Sequence, residues 1–366
     1  MQMGFWEQLK KEHRGDGNPF FALAPMADVT DVAFRSLFVK YGKPEVLWTE
    51  FVSSDGLASA GREVLKRDLE YTEGERPIVA QLFSSNVEKM RQAAKFVAEL
   101  GFDGIDINMG CPDKSIEKQG CGSAMIKTPE IAALIIQATK DGILDAGKNI
   151  PVSVKTRVGY NNVEIGTWIP FLLSQDIACL TIHARTRKDL SKVPAKWEYV
   201  KEVVAIRDKM NIPTLIIGNG DVENLEQGRK LAKETGCDGI MVGRAAFGNP
   251  WLFAGTTGKQ VRKNFIGNFF APVRTFIFSL IGKKNRYWLK NTKDIPTEEK
   301  LRVLIEHSEL FEKKLGDVKN FAIMKKHFKA YVHGFPGSKE LRVRLMDEGN
   351  SATLVRQIIT EFLTKK

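Results

Sequence analysis

Cysteine is scarce in this chain. The four cysteines form no CxxC pair and no regular spacing, which excludes a disulfide-stapled fold and indicates a reducing cytosol. Cys111 and Cys121 have no histidine or second cysteine pair near them at zinc spacing, so we predict no metal site. His307, His327 and His333 lie in a helical tail without a matching cluster, and we expect ordinary surface or packed residues there.

Long apolar runs are also missing. The first twenty residues lack the apolar centre of a signal peptide, and the most apolar late stretch, residues 265–281, is broken by Gly267, Asn268, Pro272 and Arg274. We therefore expect no membrane span and a cytoplasmic protein. The length of 366 residues allows one large domain, or one large and one small domain.

Acidic residues are absent between Gly239 and Lys293, where ten basic residues occur. Residues 1–238 carry a net charge of −2, whereas residues 239–366 carry +13. This asymmetry favours a surface that binds a polyanion, with RNA or DNA preferred over a membrane. The alternative is a solubilising surface without a partner.

Eight short apolar runs recur from Phe21 onward, with helical stretches between them. The runs are 21–26, 46–51, 78–83, 104–110, 151–157, 179–185, 214–220 and 239–244. They are typical of parallel strands buried on both faces. Residues 86–101 and 128–142 have helical spacing, and the second stretch opens on a predicted Thr128 cap before Pro129. The pattern predicts an α/β fold, a (β/α)8 TIM barrel, with a doubly wound sheet as the alternative.

Polar residues follow these runs, where barrel enzymes have their active sites. The corners GNGD and GR offer glycine amides and the charge of Arg244, which suit a phosphate. Lys155, His183 and Gln81 supply a cation, a donor or acceptor, and an amide. Such a set suits a flavin, whose reduced form is anionic. The alternative for Lys155 is an ion pair with a buried carboxylate such as Asp106 or Glu50.

The motifs resemble a known family. FALAPMADVTD, QLF, NMGCPDKSIEKQGCGSAM, KTRVG, HARTR, GNGD and GRAAFGNPW follow one another across residues 20–253, and in order and spacing they resemble the bacterial-type tRNA-dihydrouridine synthases. The tail from Thr297 to Lys366 resembles that family's helical RNA-binding domain. We accordingly divide the chain into an extension (1–20), the barrel (21–253), a basic and aromatic insert (254–296) and a small helical domain (297–366).

The resemblance implies FMN as cofactor, NAD(P)H as electron donor and tRNA as partner. The positions that match the family's FMN contacts are Pro25, Met26, Ala27, Gln81, Lys155 and His183, with phosphate contacts at Asn219, Gly220, Asp221, Gly243 and Arg244. It further implies that Cys111 is catalytic, that Asn108 faces the uracil, and that Arg157 is a second contact to base or phosphate.

A protonated thiol at Cys111 suits this chemistry. When a hydride adds at C6 of uracil, a proton must reach C5 from a general acid. A free thiol has a pKa of about 8.5 and is mostly protonated at neutral pH, so Cys111 needs no special tuning. The alternatives are a small buried hydrophobe for Cys111 and a turn former for Asn108. Cys121, between two glycines, is predicted to be incidental.

Several cations are candidate tRNA contacts. Arg185 and Arg187 either meet phosphate or brace their loop. Lys114 and Lys118 lie in the loop expected to carry the acid, and the last candidates are Lys325, Lys326 and Lys329 in the tail. The tail is predicted to be a helical bundle that starts at a capping-box-like TEEK (297–300). The insert either contacts RNA or packs between the domains.

The leading interpretation is a monomeric flavoenzyme, without an obligate protein partner, that reduces tRNA uridines to 5,6-dihydrouridine. An alternative is an FMN barrel acting on a free pyrimidine or small enone, as dihydroorotate dehydrogenases do. A third is an RNA-binding protein whose barrel has lost activity.

Overall fold

The fold is a parallel barrel followed by a group of helices. The structure, a computed structural model, describes residues 4–14, 18–254 and 295–364. Its strands are Phe20–Leu23 (β1), Leu47–Ser53 (β2), Ile78–Phe83 (β3), Gly104–Met109 (β4), Val152–Arg157 (β5), Cys179–His183 (β6), Leu215–Asn219 (β7) and Gly239–Val242 (β8). Each strand lies at one of the eight apolar runs, so the predicted TIM barrel is confirmed.

The strands form one continuous sheet that closes on itself. The sheet runs from β1 through β8, β7, β6, β5, β4 and β3 to β2, and its neighbours are parallel. A bridge between Ala22 and Val46 then joins β1 to the entry of β2, with the Leu23 amide donating to the Val46 carbonyl at 3.3 Å. Strands with no free edge bury both faces, which explains their continuous apolar runs.

Helices cover the barrel and build the tail. Those of seven or more residues in the described ranges are Phe5–Arg14 (α1), Val32–Tyr41 (α2), Val87–Glu99 (α3), Pro129–Asp145 (α4), Ile165–Leu173 (α5), Glu198–Lys209 (α6), Leu225–Thr235 (α7), Thr297–Leu315 (α8), Lys325–Tyr331 (α9), Ser338–Glu348 (α10) and Ala352–Thr364 (α11). α4 begins at Pro129 as predicted, but the Thr128 side chain makes no capping hydrogen bond. None of the helices in the described ranges is long and apolar enough to cross a membrane.

The N-terminal extension contains a helix that the sequence patterns did not predict. α1 covers the amino-terminal end of the barrel, where the buried ring of Trp6 lies 5.9 Å from Phe20 and 6.0 Å from Trp48. The opposite end, where the strands finish, carries the polar residues.

The tail helices share a core with the barrel helix α2. Leu304 and Phe311 of α8 belong to one buried cluster with Val32, Ala33 and Leu37 of α2. The helical tail is therefore confirmed, but its predicted cap is not. Pro296 occupies the N-cap position of α8 and no side chain caps the helix, because Thr297 is already helical.

Candidate active site

Strand register brings the predicted residues together at one end of the barrel. Asn108 of β4 is paired in register with Lys155 of β5. Two residues further along, Arg157 aligns with His183 of β6, and His183 aligns with Asn219 of β7. Residues in register on adjacent strands share a face of the sheet, so these side chains converge on one mouth.

Lys155 is a buried cation at the mouth of the barrel. It makes no hydrogen bond or ion pair with any residue that the structure describes. The alternative pairing with Asp106 does not occur, because that carboxylate accepts from Gln81 and Ser153, both at 2.6 Å. Burial, reinforced by the charge of Arg157, lowers the pKa of Lys155 to about 8. The ammonium is thus available for an anionic ligand.

His183 is neutral and has a defined tautomer. Burial, together with the charges of Arg157 and Lys155, holds the pKa of His183 well below its ordinary value. Arg185 Nη1 lies 3.2 Å from His183 Nε2. A guanidinium only donates, so Nε2 is the acceptor and Nδ1 carries the proton. His183 can therefore donate one hydrogen bond from Nδ1.

A buried polar ladder lies beneath the mouth. Gln81 is fully buried, donates to Asp106 and accepts from Asn108 Nδ2 at 3.2 Å. Burial raises the pKa of Asp106 to about 6. The Gln81 amide is thus already engaged within the protein, and a contact with a cofactor would have to use its remaining proton or lone pair.

The backbone of Cys111 is fixed on both sides. Its N–H donates to Asn108 Oδ1 at 2.9 Å, and Asn108 Oδ1 also accepts from the Gly110 amide at 3.1 Å. Its carbonyl accepts from the Ser123 amide at 2.9 Å and lies 2.9 Å from Ser123 Oγ. Asn108 thus forms the turn that was left open as an alternative, and in doing so it orients the cysteine.

The Cys111 thiol is held in its protonated form. The side chain is half-buried, and burial raises the pKa of Cys111 above its ordinary value. Gly122 makes room for it: its φ is +60°, and a Cβ there would lie 2.6 Å from the Cys111 carbonyl oxygen. Sequence patterns did not identify Gly122, because its close approach to the Cys111 carbonyl is a contact between residues eleven positions apart.

Arg157 ties the loops around the cysteine together. Its Nε donates to the Gly110 carbonyl at 2.8 Å, and its Nη1 lies 3.1 Å from the carbonyls of Thr186 and Leu190. Arg157 therefore links the loop after β4 to the loop after β6. Its Nη2 has no partner in the described ranges, which leaves one edge of the guanidinium for a substrate.

Arg185 and Arg187 both brace loops. Arg185 donates to the Val193 carbonyl at 2.7 Å and to Asp221 at 2.5 Å. Arg187 donates from Nε and Nη2 to the two carboxylate oxygens of Glu117, and Glu117 Oε1 also lies 2.9 Å from Ser123 Oγ. Of the two alternatives, the structure favours bracing over phosphate contact. Glu117 was not singled out in the sequence, because its partner is seventy positions away.

The corner after β7 and β8 presents unused donors. The backbone N–H groups of Gly220, Asp221, Gly243 and Arg244 have no acceptor within the described part of the chain. The Asp221 carboxylate pairs with Arg185 and with the exposed Arg244, so a phosphate here would meet the Asp221 amide and not its side chain. Asn219 supports the corner by donating to the Met241 carbonyl at 2.8 Å.

The loop that follows β1, residues 25–28, is called the first-strand loop, and it lies beside the corner after β7 and β8. A Cβ on Gly243 would be 3.6 Å from Met26 Sδ. Pro25 and Met26 are partly exposed and Ala27 is exposed. The Met26 amide donates to Thr30 Oγ1 at 2.9 Å. The residues predicted to contact FMN thus line one mouth, with Gln81 just beneath it.

The tail lysines are divided between two roles. Lys326 pairs with Asp28 of the first-strand loop at 2.9 Å. Lys325 and Lys329, one helical turn apart on α9, have no partner in the described ranges. Lys319, which sequence patterns did not identify, reaches Glu50 at 2.8 Å. The RNA-contact prediction for the insert falls mostly on residues 255–294, outside the described residues.

Comparison with known proteins identifies the family. The sequence profile of dihydrouridine synthase matches residues 22–364. The probable tRNA-dihydrouridine synthase 2 of Bacillus subtilis (strain 168) is 37% identical, over 100% of this chain and 98% of that protein. The probable tRNA-dihydrouridine synthases of Staphylococcus aureus (strain COL) and Staphylococcus epidermidis (strain ATCC 35984) are 35% and 36% identical, over 99% of this chain and 96% and 97% of theirs.

A solved structure of a histamine dehydrogenase from Rhizobium sp. 4-9 is similar over 63% of this chain and 44% of that one, with a TM-score of 0.44 and 12% identity. That likeness is too distant to indicate a function. The match of the family profile and of full-length relatives is decisive: the chain belongs to the dihydrouridine synthase family.

Proposed function

We propose that this protein reduces specific uridines of tRNA to 5,6-dihydrouridine in the cytoplasm, with FMN as cofactor and NAD(P)H as electron donor. The observation that carries the proposal is the Cys111 thiol, fixed through its backbone and kept protonated at the mouth of the barrel. A proton donor held there is what reduction of an enone-like ring requires.

The mouth fits an anionic, flat cofactor. When bound, FMN supplies the hydride that adds to C6 of the uracil, and NAD(P)H restores it. The ammonium of Lys155, which has no partner in the described part of the chain, and the Nδ1 proton of His183 would hold a ring that gains negative charge. The four unused backbone amides after β7 and β8, with Arg244 beside them, would hold the phosphate.

Cys111 then gives its proton to C5 of the uracil. The C5=C6 double bond takes up one hydride and one proton, and the thiolate that remains is reprotonated from solvent. Arg157 keeps the Gly110 carbonyl in place beside the cysteine, and its free Nη2 would meet the base. The second amide proton of Asn108 Nδ2 is the other candidate contact.

The tRNA would be held by cations of the last third of the chain. Residues 254–296 contain nine basic residues and one acidic residue, so they carry +8 of the +13 in the last third of the chain. Lys325 and Lys329 add two charges on α9 that have no partner among the residues that the structure describes. Phosphate contacts of this kind position a nucleic acid without reading its sequence, and the target base would be extruded into the barrel mouth.

A pair of cysteine variants tests the proposal. We expect Cys111→Ala to bind FMN and to accept electrons from NAD(P)H, but to reduce tRNA roughly a hundredfold or more slowly, since it lacks the general acid. Cys121→Ala is the matched control, because it removes a buried thiol from the same loop, and it should react like the wild type. Normal turnover by Cys111→Ala would contradict the acid role.

Three further measurements separate the alternatives. Mapping dihydrouridine in tRNA from cells with and without the gene should reveal at least one lost position, and no lost position would refute the assignment. Reduction of free uridine or orotate in place of tRNA would instead support a small-molecule FMN barrel. A colourless protein that cannot be loaded with FMN would count against both flavin readings.

A further inference from the structure

The first-strand loop has an unusual backbone conformation that other residues hold in place. Asp28 has a φ of +54°, in the left-handed region that a non-glycine residue adopts only at an energetic cost. Its amide donates to Glu50 Oε1 at 2.5 Å. Because Asp28 directly follows Pro25, Met26 and Ala27, whatever fixes Asp28 also fixes the shape of that loop.

Glu50 depends on a lysine from the helical tail. Glu50, in the middle of β2, is 4% exposed, and its second oxygen accepts from Lys319 Nζ at 2.8 Å. The same ammonium lies 2.7 Å from Asp68 Oδ1. A buried carboxylate is stable only when it is paired and hydrogen-bonded. Lys319, in the segment after α8, is therefore the charge that keeps Glu50 in its role as acceptor for the loop.

A second lysine of the tail reaches the same residue from outside. Lys326 at the start of α9 pairs with the Asp28 carboxylate at 2.9 Å, and about half of each side chain is exposed. The tail thus holds Asp28 twice, through Glu50 at its amide and through Lys326 at its side chain. The tail itself is anchored to α2, where Glu306 accepts from Lys40 at 2.7 Å and from Tyr41 at 2.6 Å.

We propose that Lys319 and Lys326 are positioning residues through which the helical tail sets the first-strand loop in its flavin-binding shape. The inference rests on the proposed function, because it takes that loop to be part of the FMN site. The consequence is an energetic link between the part of the protein that would hold tRNA and the loop that would hold the flavin. It consists of the Lys326–Asp28 ion pair and of the Lys319–Glu50 ion pair, whose carboxylate accepts from the Asp28 amide. FMN affinity then depends on residues outside the barrel.

The test is the affinity of the flavin-free full-length protein for FMN, measured by quenching of flavin fluorescence. We expect Lys319→Met to weaken FMN binding roughly tenfold or more, the usual cost of a lost charged hydrogen bond. Lys326→Met should weaken it by a smaller factor, since its pair is half-exposed. Lys339→Met removes an exposed lysine of α10 and should leave the affinity unchanged.

The thermal unfolding midpoint of the flavin-free protein separates positioning from general damage. Lys319→Met leaves a buried acidic cluster uncompensated, so a second variant guards against loss of folding. Asp28→Asn keeps a residue that tolerates positive φ and breaks the pair with Lys326 at an exposed site. It should weaken FMN binding as Lys326→Met does, with an unchanged midpoint.

The outcomes distinguish a failure of this inference from a failure of the proposed function. Wild-type affinity in Lys326→Met, Asp28→Asn and any folded Lys319→Met would overturn the inference and leave the proposed function intact. If the wild-type protein itself does not bind FMN, the proposed function fails first.

Discussion

Two buried histidines at the junction of the tail and the barrel should make this protein sensitive to acid. His307 of α8 and His327 of α9 are fully buried, and none of their four ring nitrogens has a hydrogen-bond partner in the described ranges. The two rings lie 4.4 Å apart, and Phe34 of α2 lies 5.7 Å and 5.4 Å from them. Each ring is therefore enclosed in an apolar setting that disfavours a positive charge.

The loss of folding stability in acid follows from the pKa of each histidine in the folded and in the unfolded protein. Burial, and then the charge of Lys326, lowers the pKa of His327 to about 3. Burial, and then the electrostatic effect of His327, lowers the pKa of His307 well below its ordinary value of 6.5. In the unfolded chain both rings take up protons below pH 6.5, so the unfolded state gains stability as the pH falls. At about pH 5 each histidine costs about 2 kcal/mol and the pair about 4 kcal/mol, at 1.36 kcal/mol per pH unit. That is a large part of the 5–15 kcal/mol typical of a folded protein.

The assay is urea unfolding followed by far-ultraviolet circular dichroism at about pH 7.5 and about pH 5. Replacing both rings with leucine, His307→Leu with His327→Leu, should remove about 4 kcal/mol of the pH dependence. At neutral pH this double variant should be as stable as the wild type or more so, because it removes unsatisfied polar groups. His333→Leu, at an exposed position, should keep the wild-type pH dependence. An equal loss of stability in the double variant and the wild type would refute the reasoning.

Three further predictions concern the cysteine loop and a buried ion pair. Gly122→Ala should slow tRNA reduction at least tenfold, because it displaces the backbone of Cys111 and small misplacements of catalytic groups cause losses of this size. Gly147→Ala, at a φ of +65° but with nothing within 4 Å of the added Cβ, should leave the rate unchanged, and equal steady-state rates for the two variants would contradict the steric effect at Gly122. The rate at which iodoacetamide alkylates Cys111, followed by mass spectrometry, should rise only at a pH above the ordinary pKa of a thiol, because burial raises the pKa of Cys111. Fast labelling at neutral pH would show that the thiol is not held protonated. Arg35→Met should lower the free energy of unfolding, measured in urea, by about 3–5 kcal/mol, because it leaves the buried carboxylate of Glu75 unpaired. Arg302→Met, which breaks an exposed ion pair, should change that free energy little, and similar losses in the two variants would contradict the importance of burial.

The strands were predictable because of how a closed parallel sheet is covered. Each strand is buried on both faces, so its sequence is a short apolar run that ends at a polar or glycine corner. Helix α1 was not predicted, because its buried contacts depend on few residues, chiefly Trp6 and Leu9. The cap of α8 was predicted one residue too late: Pro296 holds the N-cap position, and a capping-box pattern at Thr297 cannot reveal that.

The positions of the site residues were predictable, but their partners were not. Lys155 and His183 follow apolar runs, and barrel topology alone brings such residues to one mouth. The sequence left open whether Arg185 and Arg187 meet phosphate or brace their loop, because the carboxylates that they contact belong to other loops. Glu117 and Asp221 are separated from them by 70 and 36 positions. Local patterns carry no information about contacts between loops that only the closed barrel brings together.

Helix α1, which covers the amino-terminal end of the barrel, has a practical consequence for anyone who shortens the chain. A truncation that started at Phe20, the first residue of β1, would remove the indole that packs on Phe20 and Trp48. Two large aromatic rings would then face water at the base of the barrel, which is the kind of exposed apolar patch that promotes aggregation. A shortened chain should therefore keep α1 from Phe5 onward.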